Sequence, residues 1–172
     1  MLAEKRQLLG RTVEAFGESF GRDAQAILVR STGRVNLMGM HVDHRGGFVN
    51  PVAVGELFLV AQARDDDQVV LKNVERDRFG DRSFSIRQEL PDGPIEDWDK
   101  WTQAEVDKRR AAGAAGDWAE YVKSAVLYFQ HLHRDREGRF APALRGMNVM
   151  IYGKVPRAAG LSSSSAVVVA AA

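Results

Sequence analysis

Apolar residues recur from Leu2 to Phe20 at Leu2, Leu8, Leu9, Val13, Phe16 and Phe20, a roughly helical stripe, and Gly21 stands where a C-cap belongs. The spacing predicts a surface helix there. Ala24 to Arg30 is a short run rich in branched residues and predicts a strand. Gly33 and Gly39 then break the pattern around Arg34 and Asn36, and the polar stretch Met40 to Gly47 predicts a loop between two buried strands. Phe48 to Val54 and Leu57 to Ala63 are apolar, β-prone runs. The aspartates Asp65 to Asp67 signal a turn, so a hairpin with Val69 to Val74 is expected. Ser83 to Arg87 alternates as a half-buried strand does.

Further on, Pro91 to Asp117 is polar and broken by Pro-Asp-Gly-Pro, with a short helix expected over Thr102 to Ala112. Trp118, Val122, Ala125, Val126 and Phe129 fall on one helical face, and Asp117 is a good N-cap for it. Gly146 to Val155 predicts another strand, with Met147, Val149 and Ile151 alternating against Asn148, Met150 and Tyr152. Strands and helices do not alternate strictly, which places the chain in the α+β class.

The stretch from Lys154 to Ala172 carries the clearest chemistry. It reads as a strand end, a small-residue loop and a helix start: Pro156 cannot continue a ladder, Gly160 permits a backbone closed to other residues, and Ser162 to Ser165 offer hydroxyls and uncrowded amides. Free N–H groups and the positive end of the helix dipole would meet at one point, which suits a phosphate. An ordinary capped helix would need only one of these serines. The Walker pattern is excluded, because no Gly-Lys-Ser/Thr closes the loop.

Composition narrows the classes. The 172 residues are 45% hydrophobic and 27% charged, enough for one soluble domain with its own core, and a net charge of +1 gives no global field toward nucleic acid or an anionic membrane. The absence of cysteine excludes disulfides, thiolate metal sites and a thiol nucleophile. Charges interrupt the apolar N-terminus, so no signal peptide is read there, and a cytoplasmic location is the default expectation. Because the chain stops inside an apolar helix without a C-cap, it is expected to be the N-terminal part of a longer protein.

A second polar group lies near the N-terminus: Arg34, Asn36, His41, Asp43 and His44. Asp43 can accept hydrogen bonds from vicinal hydroxyls and His41 can donate or accept, which suits a sugar, while Arg34 can steady a phosphoryl oxygen. Three alternatives stand beside this reading. They are a metal held by His41 and His44, a purely structural Arg34–Asp43 salt bridge, and a nucleophilic triad drawn from Ser162 to Ser165 with His41 and Asp43.

Taken together, Gly33 to Val54 resembles the N-terminal signature of galactokinases in the GHMP kinase family, Gly160 to Ala166 resembles that family's phosphate loop, and Trp118 to Lys123 its stretch beside the adenine. The resemblance implies a GHMP-kinase N-terminal domain (ribosomal protein S5 domain 2-like), a mixed sheet with helices packed on one face. It implies ATP and Mg²⁺ as cofactors, a small-molecule sugar as partner, and no nucleic acid or membrane partner. Arg34 would assist phosphoryl transfer at the anomeric hydroxyl. His41 and Asp43 would hold sugar hydroxyls, and Gly47 would belong to the tight sugar-loop turn. Gly160, Leu161, Ser162, Ser163 and Ser164 would wrap the ATP phosphates, with Ser164 the magnesium contact, and Trp118 would pack near the adenine, or else be a core tryptophan.

Departures from the family pattern sharpen the expectation. Met40 stands where galactokinases carry a Glu facing the sugar's C6 end, and a thioether is a poor acceptor for a primary hydroxyl. His44 replaces the usual Tyr, and with Arg45 it is available to a carboxylate, which points to a uronic acid, a deoxy sugar or a pentose. Arg157-Ala158 replaces the commoner hydrophobic-Gly pair. The family's catalytic Asp and third, glycine-rich motif lie downstream of the phosphate loop, so residues 1–172 alone are expected to be inactive and without the family's C-terminal domain. A non-catalytic sugar and ATP sensor is the alternative within the same family. RNA binding, suggested by the fold alone, is disfavoured by the charge balance.

Overall fold

A computed structural model describes residues 2–39, 42–114, 116–134, 145–156 and 160–172. The chain runs through helix α1 (Leu2–Phe20), strand β1 (Ile27–Met38), a 3-10 turn (Asp43–Arg45) and strands β2 (Asn50–Ala63), β3 (Gln68–Asn73) and β4 (Arg82–Ser85). Helices α2 (Ile86–Glu89), α3 (Trp98–Ala111) and α4 (Glu120–Leu132), strand β5 (Met147–Gly153) and helix α5 (Ser163–Ala171) complete it. The strands form one five-stranded sheet in the order β1-β2-β5-β3-β4. It is mixed, as expected: β3 and β5 are parallel and the other neighbours antiparallel.

Three differences from the sequence reading have physical causes. The expected hairpin between β2 and β3 does not form, because β5 lies between them. Val149 and Met150, neighbours in β5 on opposite faces, are both fully buried, so this strand gains more by sitting in the middle of the sheet than at an edge. The turn at Asp65 to Asp67 is held open to admit it, with Gly146 N donating to Asp66 O at 2.6 Å and Arg64 N to Gly146 O at 2.8 Å.

The second difference concerns the segment expected to break at Gly33. It continues as strand to Met38, so Arg34 and Asn36 stand on β1 rather than in a loop, opposite Ala53 and Pro51 of β2. The two apolar runs on either side of Gly55 are likewise one strand. The register slips there, between the pairs Ser31–Leu57 and Gly33–Val54, and Gly55 takes φ +67° to accommodate the extra residue.

Third, the helices do not all share one face. Leu57, Leu59, Val69, Leu71, Val149 and Ile151 meet Val122 and Val126 of α4 and Ala170 of α5. The alternate positions Phe58, Val60, Met150 and Tyr152 are also apolar and need cover, which Leu8 and Phe16 of α1 provide. The expectation of helices on one face therefore holds for α4 and α5, and α1 closes the other.

Helix boundaries follow local caps. Asp97 starts α3 by accepting from Lys100 N at 2.9 Å, and Ser85 starts α2 by accepting from Gln88 N at 3.2 Å. Asp117 does not cap α4, whose N-cap is Ala119: it accepts from Ala119 N at 2.9 Å in the turn before the helix and pairs with Arg82 at 2.8 Å, and α4 begins at Glu120. Arg109 joins Glu89 and Glu120, and Lys123 joins Glu89 at 2.8 Å, so α2, α3 and α4 are tied by charge as well as packing.

Glu56, beside the bulge, is buried and charged. Arg30 reaches it through Nε at 2.5 Å and Nη2 at 3.0 Å, and Lys5 of α1 pairs with the same carboxylate. The hydrogen bond from Arg30, helped by Lys5 and opposed by burial, holds the carboxyl below its ordinary value of 4.5. A depressed carboxyl pKa contributes stability that is present above the ordinary value and is lost as pH falls through the folded one. Glu56→Gln is therefore expected to cost about 2 kcal/mol at pH 7 and to flatten the loss of stability below about pH 4.5. Urea unfolding at pH 7 and at pH 3.5 measures both effects.

Candidate active site

The core of the site is the start of α5. Gly160 (φ +68°) and Ser162 (φ +57°) are both left-handed, so the loop turns sharply into the helix, whose first bond runs from Ala166 N to Ser162 O at 2.9 Å. Ser162 provides no side-chain cap. Leu161 anchors the loop: its side chain packs on the main core, and its carbonyl accepts from Arg34 N at 3.0 Å. Leu161 thus fastens the loop to β1, while its neighbours present small polar groups.

The four serines divide between two cavities. Ser162 and Ser165 line a space of about 620 Å³ together with Arg30, Ser31, Thr32 and Arg34 of β1. Ser163 and Ser164 line a second space, of about 870 Å³, with Asn73, Arg78, Trp118 and Tyr121. Helical spacing explains the division, since residues three apart share a face and the pair between them points elsewhere. The start of α5 is the wall between an arginine-lined cleft and a cavity large enough for a nucleotide.

Trp118 is part of the core and also stands at a cavity wall. Its ring packs on the main core and lies edge-on to Phe79 at 5.9 Å, its Nε1 donates to Gly80 O at 3.1 Å, and it borders the larger cavity. A phosphate chain fits the residues present: the loop is small-sided, a Cβ built on Gly160 would meet nothing within 4 Å, and the helix start faces both spaces. For Mg²⁺ the hydroxyl of Ser164 offers a hard oxygen donor, to be completed by phosphate oxygens. Among the described residues no cluster of three His, Cys, Asp or Glu is placed to hold a metal.

Asp43 and His44 lie in the exposed 3-10 turn beyond β1, 3.8 Å apart between His44 Nδ1 and Asp43 Oδ1. Glycines hold the feet of this turn. Gly39 (φ +80°) leaves only 2.2 Å between a would-be Cβ and Phe48 O, and Gly47 N donates to Val42 O at 2.8 Å. Met40 and His41 lie outside the described residues, as does Arg157. The structure brings Arg34 to the serine wall, whereas Asp43, His44 and Gly47 are not among the residues lining that cavity. Among the described residues no Arg34–Asp43 ion pair forms, which removes the purely structural salt bridge; the metal and triad alternatives both turn on His41, outside the described residues.

Sequence reasoning missed several cavity residues. Tyr121 had a signal, being one helical turn from Trp118 in the same motif. Asn73, Arg78, Arg30 and Thr32 had none, because only the tertiary fold brings these strand and turn residues to the cavities.

Comparison with known proteins gives this geometry a family. Residues 14–64 match the galactokinase galactose-binding signature, and residues 120–172 match the GHMP kinases N terminal domain. The galactokinase of Clostridium beijerinckii is 30% identical over 154 residues, covering 88% of this chain and 32% of that protein. That of Limosilactobacillus fermentum is 32% identical over 157 residues, covering 90% and 33%. Lactococcus lactis galactokinase, solved in complex with galactose, superposes with a TM-score of 0.64 at 26% identity, covering 93% of this chain and 34% of that one. Methanococcus jannaschii mevalonate kinase superposes at 0.56 with 15% identity, covering 87% and 39%, and shares the fold.

The fold is that of a GHMP-kinase N-terminal domain. The chain is similar to galactokinases over most of its length and spans about one third of the length of the curated relatives it matches. No helix among the described residues is long and apolar enough to cross a membrane.

Proposed function

We propose that the full gene product transfers the γ-phosphoryl group of ATP to the anomeric hydroxyl of a monosaccharide. The observation that carries this reading is the shared wall. One helix start borders the nucleotide-sized cavity through Ser163 and Ser164 and the Arg34 cleft through Ser162 and Ser165. Phosphoryl transfer needs little covalent help from protein, but it needs donor and acceptor in line and the charge on the moving group neutralised. Amides at the start of α5 hold the phosphate chain, and Arg34 meets the transferring oxygens from the acceptor side. Ser164 and the phosphate oxygens would hold Mg²⁺, which would supply further charge neutralisation there. The sugar oxygen forms a bond to phosphorus as the bond to the departing ADP oxygen breaks, and the hydroxyl proton passes to a carboxylate expected downstream of Ala172.

We also propose that the sugar differs from galactose at C6. Met40 in place of a Glu is the reason, and the exposed His44 and Arg45 of the turn suit a carboxylate there. Assaying ADP release with galactose, galacturonate, fucose and arabinose is expected to show at least a tenfold preference in kcat/KM for a C6-altered sugar over galactose, a discrimination of about 1.4 kcal/mol. Faster turnover on galactose than on the other three would overturn the Met40 argument. Sugar and ATP binding without ADP release from any of the four would favour the sensor reading.

A further inference from the structure

The larger cavity is bordered by more than the serines. Ser163 and Ser164 face it where the helix start suits phosphate, and the turn that follows β3 supplies another stretch of wall through Asn73, Glu75, Arg78 and Phe79, beside Trp118. That turn is tied at several points. Asn73 is buried, on the face of β3 that carries Val69 and Leu71, and its Oδ1 accepts from Glu75 N at 2.9 Å. Arg78 N and Phe79 N donate to Glu75 O at 3.1 and 2.9 Å, and Gly80 O accepts from Trp118 Nε1 at 3.1 Å. The turn is therefore held in place against the segment that leads into α4.

Glu75 and Arg78 leave this turn with open hydrogen-bonding groups. Glu75 Oε2 and Arg78 Nη1 lie 3.9 Å apart, near enough to attract and too far for a hydrogen bond. Among the described residues neither side chain has another ion-pair or hydrogen-bond partner, and the Arg78 guanidinium lies 6.0 Å from the Phe79 ring. The two side chains are 39% and 57% exposed, so a ligand in the cavity can reach them. A pair this open contributes little to the fold.

A carboxylate only accepts and a guanidinium only donates, so together they match an edge on which a donor adjoins an acceptor. Purine edges are of this kind: adenine sets its N6 amino group beside N7, and guanine sets its N1–H beside O6. Rejecting one purine would take a group of the wrong sign facing it, and this pair offers each base a partner of the right sign. We propose that Glu75 and Arg78 read the edge of the nucleobase, Glu75 accepting from its N–H group and Arg78 donating to the neighbouring acceptor, and that the site takes guanosine triphosphate as well as adenosine triphosphate. The assignment rests on the kinase reading and extends it to the choice of phosphoryl donor.

The test uses the full gene product, with binding of ATP, GTP and inorganic tripolyphosphate measured calorimetrically, thermal melting, and phosphoryl transfer from each nucleotide. Wild type is expected to bind ATP and GTP within about tenfold of each other, whereas a site built to hydrogen-bond one base alone rejects the other by about 10⁴-fold. A gap wider than tenfold overturns the assignment. Arg78→Met and Glu75→Met are each expected to weaken binding of both nucleotides about tenfold, as the loss of one base contact implies, and to leave tripolyphosphate affinity unchanged. The melting temperature without nucleotide should stay within about 2 °C of wild type. If tripolyphosphate affinity falls in step with the nucleotides, or the variants melt well below wild type, the pair shapes the turn and reads no base, and the assignment is overturned. Variants that bind both nucleotides as tightly as wild type overturn it as well. A wild type that binds neither nucleotide nor tripolyphosphate overturns the kinase reading and the assignment with it. Binding of both nucleotides with no transfer to any of the four sugars overturns the kinase reading and supports the assignment.

Discussion

Arg34→Met in the full gene product is expected to lower kcat about 10³-fold, the lower end of what an arginine contributes at a transferring phosphoryl group. The melting temperature should stay within about 2 °C of wild type. The two expectations come from the same observation. The side chain of Arg34 is exposed to the cleft, and among the described residues its guanidinium has no ion-pair or hydrogen-bond partner, so the fold does not depend on it. Its backbone N–H, which does bind Leu161 O, is untouched by the substitution. Arg34→Lys should recover only part of the rate, because an ammonium keeps the charge without the planar fork that grips two oxygens together. Steady-state kinetics with a parallel melt decide the matter. A kcat within tenfold of wild type would place Arg34 away from the transferring group, and a large drop in melting temperature would make it a structural residue.

The second large effect is expected at Gly33, where β1 passes beneath the serine loop. A Cβ there would stand 2.4 Å from Val155 Cγ1, 2.6 Å from Leu161 O and 2.9 Å from Val54 O. Two of these neighbours are backbone, one in the β1–β2 ladder and one in the loop that positions the serines, so relief requires moving an element rather than a rotamer. Gly33→Val is expected to destabilise by about 3 kcal/mol, the upper end for overpacking. It should also weaken ATP binding, because the loop that must give way carries Gly160 to Ser164. Gly93→Ala is the matched control: nothing lies within 4 Å of its would-be Cβ, and no effect beyond about 0.5 kcal/mol is expected. Urea unfolding with nucleotide binding measures both variants, and a Gly33→Val protein as stable as wild type would contradict the packing described here.

Much of the candidate site was legible because its parts are short and local. The serine run beside Gly160 announces a helix start with free amides, and the cluster around Arg34 announces polar chemistry between apolar strands, whatever the rest of the chain does. The division of the serines between two cavities was not legible. It depends on Leu161 being tied to β1, a contact between residues far apart in the sequence.

What the sequence determined alone is the set of elements whose signals are complete within a few residues. Helix α1 runs from Leu2 to Phe20 as its apolar spacing and Gly21 require, β5 alternates as read, and α5 begins at the serines. The tertiary structure decided which elements are neighbours. It put β5 between β2 and β3, carried β1 through Gly33 by a bulge at Gly55, and laid α1 on the face opposite α4 and α5. The reason is that periodicity records how a segment's own side chains are distributed. The choice of partner is settled by burying two apolar faces of one sheet at once, a condition on the whole chain that no single stretch contains.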